Sequence, residues 1–398
     1  MTTVTLFTVT ALAAALASAP GALAQSYTFT KIADSAVLDF DPSSFGAPSI
    51  SDLGHVAFRA QSSDQSVTSI WRTAPDLAGP LTLIVDSSGP VGGLSHTVSV
   101  NNLGQVAVWA PVSGATIDER IMRGAGGGAP TTIAEAGPTP HPFSFLSVIV
   151  SVNDSGTVAW QGELRQPGFP QGLFTGNGGP HNTIFSSASS DFTSSFAGPT
   201  INNAGQIAFR AASTTSAGDA IFRFDGPGVF TTIADGDHPL LSSAFDDEPA
   251  MNAAGRVAFI GRSNDISTMY LLVGDGTADA IALADTTGDL DSINNAAIND
   301  LNQIAYSATF DDFSTTGIFT GSDLINDAVV RTGDLIDGSA VTFVSLCREG
   351  LNNNGQIAFF AQLADGRGVV MVATPVPTPA VLALAAIAVP RALRRRRR

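Results

Sequence analysis

The chain has 398 residues, of which 19 are Lys or Arg and 35 are Asp or Glu, giving a formal net charge of −16. A surface this acidic repels phosphate backbones, which excludes nucleic acid as a partner. One cysteine, Cys347, excludes an internal disulfide and a cysteine metal site.

The first element in chain order reads as an export signal over residues 1–24. Leu6 to Leu16 is apolar but too short to span a bilayer. Ala22-Leu23-Ala24 then supplies a small-x-small cleavage pattern before Gln25. No Lys or Arg precedes Lys31, so the usual positive leader is missing. A buried N-terminal helix is the alternative, and the helix-breaking SAPGALAQ argues against it.

From residue 50 a phrase returns seven times: ISDLGHVAF, VNNLGQVAV, VNDSGTVAW, INNAGQIAF, MNAAGRVAF, INDLNQIAY and LNNNGQIAF. Its glycine position falls at Gly54, Gly104, Gly156, Gly205, Gly255, Asn302 and Gly355, in steps of 50, 52, 49, 50, 47 and 53 residues. So regular a period means one supersecondary unit copied along the chain. The Asn (Asn101, Asn153, Asn202, Asn252, Asn299, Asn352) suits the first corner of a turn, where its side chain accepts backbone N–H groups. Gly suits the fourth corner because it tolerates positive φ, and Asn302 is the residue next best at that. These positions therefore read as structural.

Each period divides into four short β-like runs, seen in the fourth copy as SFAGPTIN, QIAFRA, AIFRF and TTIAD. Gly, Pro, Ser, Asn and Asp clusters separate them, and no long 3.6-residue periodicity intervenes, so helices are expected to be scarce. In the second run Ile207 and Phe209 share a face, expected to pack on a neighbouring sheet, with Ala208 on the other face. Four strands per unit and seven units predict an all-β fold, a seven-bladed β-propeller over residues 25–373. The seventh copy supplies three strands (Phe343 to Leu346, Gln356 to Ala361, Gly368 to Val372), and the missing fourth phrase stands at the N-terminus as Phe29 to Asp34. Pairing them closes a ring and removes an exposed edge. An open β-solenoid or a two-sheet array is the alternative and would not need that offset.

Residues 374–398 form a Pro-rich spacer, an apolar stretch from Ala380 to Val389, and a basic end at Arg391 and Arg394 to Arg398. That order suits a stop in a membrane with the arginines cytoplasmic, although the stretch is shorter than a permanent span. Without the six tail arginines, 13 basic residues remain against 35 acidic ones, a net of about −22. The tail resembles bacterial PEP-CTERM-type sorting signals, with Val376-Pro377-Thr378-Pro379 where that pattern reads Val-Pro-Glu-Pro; Thr378 departs from it. A short retained anchor is the other reading. As a whole the chain resembles bacterial exported proteins with tandem NxxGxxAF repeats and interchangeable anchoring signals. The resemblance implies secretion or cell-surface display, contact with sorting machinery through the tail, and membrane contact only through the terminal segments. It brings no catalytic residues.

The chemistry itself is sparse. HExxH, GxSxG, P-loop and EF-hand patterns are absent. His55, His96, His141, His181 and His238 are scattered and read as turn or surface residues. Propeller sites usually lie at an end of the central channel, lined by the run before each Asn. Three copies carry polar or charged groups there: Asp246, Asp247 and Glu248 in the fifth, Asp289, Asp291 and Asn294 in the sixth, and Arg348 and Glu349 in the seventh. Asp246, Asp247, Glu248, Asp291, Asn294, Arg348 and Glu349 are accordingly the ligand-binding candidates. Converging carboxylates could hold Ca²⁺ through hard oxygens or act as an acid/base pair on a glycan; the bland reading is a solvated acidic surface. No other cofactor is expected. Cys347 is expected inside the innermost strand of the last unit as a buried, inert thiol. Three functions follow: a non-catalytic module binding extracellular glycan or protein, a carbohydrate-active hydrolase or lyase, or a purely structural matrix protein with no saturable ligand.

Overall fold

The computed structural model describes residues 25–377 apart from 90, 113–116, 196–197, 243–244 and 247. The export signal, the tail beyond Pro377 and the candidate Asp247 lie outside the described residues.

The fold is all-β, a propeller-like ring of antiparallel sheets. The sheets contain five, eight, five, four, four and four strands. The eight-stranded sheet consists of two four-strand meanders, Ser99–Ala136 and Phe143–Ser186, joined through one parallel pair, Phe143 with Ala136. The fourth copy shows the unit: Thr200–Ile201, Ile207–Ser213, Asp219–Gly226 and Val229–Ala234 pair in sequence order. The strand before each Asn is the innermost, as the sequence implies. The described residues include one short helix, Ser35–Leu38, whose first turn is capped by Asp34.

Packing follows the period of two. Ile207 and Phe209 bury against Ala159, Leu173 and Phe185 of the preceding copy. Ala208 meets Met251, Val257 and Phe259 of the following one. Full burial of a side chain the size of Phe209 is worth roughly 2–3 kcal/mol. In this copy both faces of the second strand are thus covered by apolar side chains of its two neighbours.

The ends of the ring meet as expected. Tyr27–Asp34 runs antiparallel to Gly368–Pro375, with Tyr27 opposite Pro375 and Asp34 opposite Val369. The strand starts two residues before the expected Phe29 because Tyr27 packs on the core of the last sheet. Lys31, the chain's one lysine, lies 2.9 Å from Asp34 and 2.7 Å from Asp337. Arg367 reaches the same two carboxylates at 2.9 and 3.0 Å. The closing strand is therefore clasped by charge as well as by backbone pairing.

Two expectations need correction. Cys347 is not inside the innermost strand, which ends at Ser345. It begins a tight turn closed by Gly350 N–H on the Cys347 carbonyl, at 2.9 Å. The thiol is buried, as expected, against the Pro48 carbonyl, and burial pushes its pKa far up. Nor are all the histidines superficial. His55 and His238 are buried, because each ring nitrogen finds a backbone carbonyl, of Thr73 and Ala280 respectively.

Candidate functional site: the axial pocket

The repeated turn is built as its sequence implies, and it does one thing more. Asn101 Oδ1 accepts the N–H groups of Leu103 and Gln105, at 3.1 and 2.9 Å. Gly104 and Gly355 have φ of +68° and +72°, and Asn302 has +60°. The amide nitrogen of each Asn then donates to the main-chain carbonyl at the same position of the next copy. The links run from Asn101 to Asn153, Asn202, Asn252, Asn299, Asn352 and finally Ser51, at 2.8 to 3.2 Å. Four of these Asn side chains also donate to a Gln four residues on, as Asn352 does to Gln356 at 2.9 Å.

A second ring lies beside the first. In six copies the residue after the Asn position offers its side-chain oxygen to a backbone N–H of the preceding copy, and Ala253, which has no such oxygen, interrupts the ring in the fifth. Asp154 accepts from Asn102 at 2.8 Å, Asp300 from Ala253 at 2.7 Å and Asp52 from Asn353 at 2.9 Å. These rings form the mouth of a cavity of about 160 Å³ that touches all seven copies.

Arg348 and Glu349 fill the floor. Both lie within the turn from Cys347 to Gly350 that follows the seventh inner strand, and both line the cavity. Arg348 Nη2 donates to the carbonyls of Val150 and Pro199, at 3.1 and 2.9 Å, across the ring. Glu349 accepts from Ser49 at 3.2 Å and Ser151 at 2.9 Å, with Ser99 as a third hydroxyl partner. Its side chain is 19 % accessible and its carboxylate lies 4.0 Å from Arg348 Nε. Burial pushes the Glu349 pKa up, against the opposing pull of Arg348 and the three hydroxyls. One charged pair thus ties the seventh copy to the first four.

Of the remaining candidates, Glu248 is half-buried and close enough to Cys347 to raise that thiol's pKa. Asp246 is half-buried, with its N–H on the Ile260 carbonyl. Asp291 and Asn294 are exposed and do not line the axial cavity; Asn294 bonds Thr309 at 3.1 Å. Among the described residues no three His, Cys, Asp or Glu side chains are placed to hold a metal ion, and no helix is long and apolar enough to cross a membrane. Ser49, Ser99 and Ser151 were not anticipated from the sequence. Their signal is a hydroxyl two residues before the Asn position in copies one to four, where copies five to seven have Ala, Ala and Gly.

The chain is similar in fold to a prolyl endopeptidase, with 12% identity and a TM-score of 0.53 over 84% of this chain and 47% of that one. It spans about half the length of that enzyme. It is also similar to an oligogalacturonate lyase solved with manganese, with 10% identity and a TM-score of 0.50 over 90% of this chain and 98% of that one. At such identities these likenesses bear on fold alone. A search of the curated proteins finds no match. A family model matches residues 50–373, and the chain belongs to that family, DUF7453, a family of unknown function.

Proposed function

We propose that the chain is a closed seven-bladed propeller acting as an exported, surface- or matrix-associated module that binds glycan or protein without catalysis. The observation that carries this reading is the state of the axial carboxylates. Glu349 is held by three hydroxyls, and Asp52, Asp154 and Asp300 each accept a backbone N–H from another copy. Groups so engaged fix a surface; an acid/base pair needs one carboxylate free to take or give a proton. The polar mouth offers hydrogen-bonding positions to a partner.

Support for seven blades comes from a bulge that recurs at one register between the third and outermost strands. It falls between Ile70 and Trp71, Ile121 and Met122, Leu173 and Phe174, Ile221 and Phe222, Leu271 and Leu272, and Ile318 and Phe319. The closing strand carries the same skip between Lys31 and Ala33. Export and tail-directed sorting rest on the terminal segments and the acidic body.

A glycan and protein array read together with product analysis tests the function. Saturable binding without bond cleavage is expected. Product formation from any bound glycan contradicts the non-catalytic reading, and the absence of any saturable partner contradicts the binding reading.

A further inference from the structure

Strand register makes one outer position equivalent from copy to copy. Ala134 lies opposite Ile121, Ala234 opposite Ile221, Ala284 opposite Leu271, Val85 opposite Ile70 and Ala33 opposite Val370. The next residues, Glu135, Asp235, Asp285, Asp86 and Asp34, are therefore counterparts. All four Asp fold back on their own turns. Each accepts the N–H two residues on, from Ala36, Ser88, Asp237 and Thr287, at 2.9 to 3.1 Å. That is ordinary Asx-turn chemistry.

Glu135 breaks the pattern. It is one methylene longer and accepts no backbone N–H among the described residues. Arg120 holds its Oε1 at 2.6 and 2.9 Å, and Oε2 lies 3.7 Å from His141 Nδ1. The carboxylate and His141 remain 25 % and 18 % accessible. They line a cleft of about 320 Å³ between the second and third copies. This is the same junction at which Phe143 pairs with Ala136.

The far wall is fixed by close packing. Gly178 has φ of +88°, and a Cβ there would collide with Thr131, so the hairpin rests directly on the neighbouring outer strand. His181, at the end of that hairpin, is held against Phe143 and Phe174 with ring centroids 4.9 and 5.6 Å apart. Pro142 and Pro180 complete the rim.

We propose that this cleft is a subsite for one neutral sugar residue of a glycan, an assignment that rests on the reading of the chain as a binding module. At about 320 Å³ the cleft stands at the small end of the range of ligand pockets, a size suited to a single pyranose ring. Glu135 supplies carboxylate acceptors and His141 a ring nitrogen for adjacent hydroxyls, while Arg120 holds the carboxylate in place. The His181 ring and the two prolines offer apolar faces to the C–H side of the sugar, the usual division of labour in a small-molecule pocket. The chain's net charge of −16 selects against acidic glycans.

The test is isothermal titration of the whole protein with neutral oligosaccharides (cello-, manno-, galacto- and N-acetylglucosamine oligomers) and with oligogalacturonate as the anionic control. At least one neutral oligomer should bind, and Glu135→Gln and His181→Ala should each weaken it tenfold or more. Asp235→Asn, at the equivalent turn, should leave the affinity within twofold; circular dichroism melts establish that all three variants fold. Neutral binding that survives both cleft substitutions, or that Asp235→Asn weakens equally, overturns the subsite and leaves the module reading standing. Binding of oligogalacturonate alone overturns it too. Failure of every saccharide overturns the subsite, and the module reading falls with it only if no protein partner is captured either.

Discussion

Asn352 donates its side-chain amide to the backbone carbonyl of Ser51, 3.1 Å away and 301 residues earlier in the chain. The bond joins the last copy of the repeated turn to the first. It also ends a series of six such links, because Ser51 has no amide to pass on to Asn101. Asp at these positions would cap the turn equally well through its oxygen. Only Asn both caps its own turn and donates to the next.

That distinction can be measured at the gap. Ser51→Asn supplies the missing donor, and its oxygen can still take the His55 N–H that Ser51 Oγ accepts at 3.1 Å. A net gain of about 0.5–1.5 kcal/mol is expected, the usual worth of one hydrogen bond. Asn352→Asp removes a donor and sets a carboxylate against the Ser51 carbonyl, so it should cost about 1–3 kcal/mol. Urea unfolding of the two variants checks both signs.

Glu349 yields a pH-dependent prediction. Its folded pKa is raised, so the ionised form is the disfavoured one in the native state. The wild type should gain stability as pH falls from the raised folded value toward the unfolded value near 4.3. Glu349→Gln removes the buried charge and should be more stable than wild type at pH 8. That advantage should shrink toward pH 4.5. Melting curves at the two pH values decide it; a variant less stable at pH 8 shows instead that Arg348 needs the charge.

The charge clasp on the closing strand has the opposite sign. Burial raises the Asp34 pKa, but Lys31, the Ala36 N–H and Arg367 together hold it below the ordinary value. Lys31 and Arg367 also depress Asp337. Stability from such groups is complete above the unfolded carboxylate pKa, near 3.9, and is lost as pH falls through the lower folded values. Lys31→Met should therefore lower the melting temperature at pH 6–7, and the difference from wild type should narrow below about pH 4.

Two exposed turns share a carboxylate cage. Asp64 accepts from the Ser62 and Ser66 hydroxyls and the Ser66 N–H, and Asp265 does the same with Ser263 and Ser267. These bonds hold both carboxyls at about 2. Carbon-detected NMR titration should find both midpoints well below the ordinary 3.9 of an exposed Asp. Midpoints at the ordinary value would mean that the cages open in solution.

The turn chemistry was legible in the sequence because it is local: Asn at one corner and positive φ at another need only neighbours in the chain. The closing strand was legible because its phrase stood at the wrong end of the sequence. The Asn-to-carbonyl links were not, since the acceptor lies 47 to 53 residues away and carries no side-chain signature. Arg348 and Glu349 stood out as charges where other copies have small residues. Their place at the axis depends on the turn at Gly350, which composition does not reveal. Asp291 and Asn294 carried the same signal yet face solvent away from the pocket. A charge near an inner strand marks a departure from the repeat without saying which end of the strand it occupies.

Closure of the ring by its first strand is the claim on which the rest depends. Deleting Gln25 to Ala36 removes the partner of Gly368–Pro375 together with Lys31 and Asp34. Equilibrium urea unfolding of this deletion, followed by circular dichroism and tryptophan fluorescence, is the most direct test. A single transition at a markedly lower urea midpoint is expected in both signals. A midpoint equal to that of the whole chain would contradict a ring held shut by its N-terminal strand.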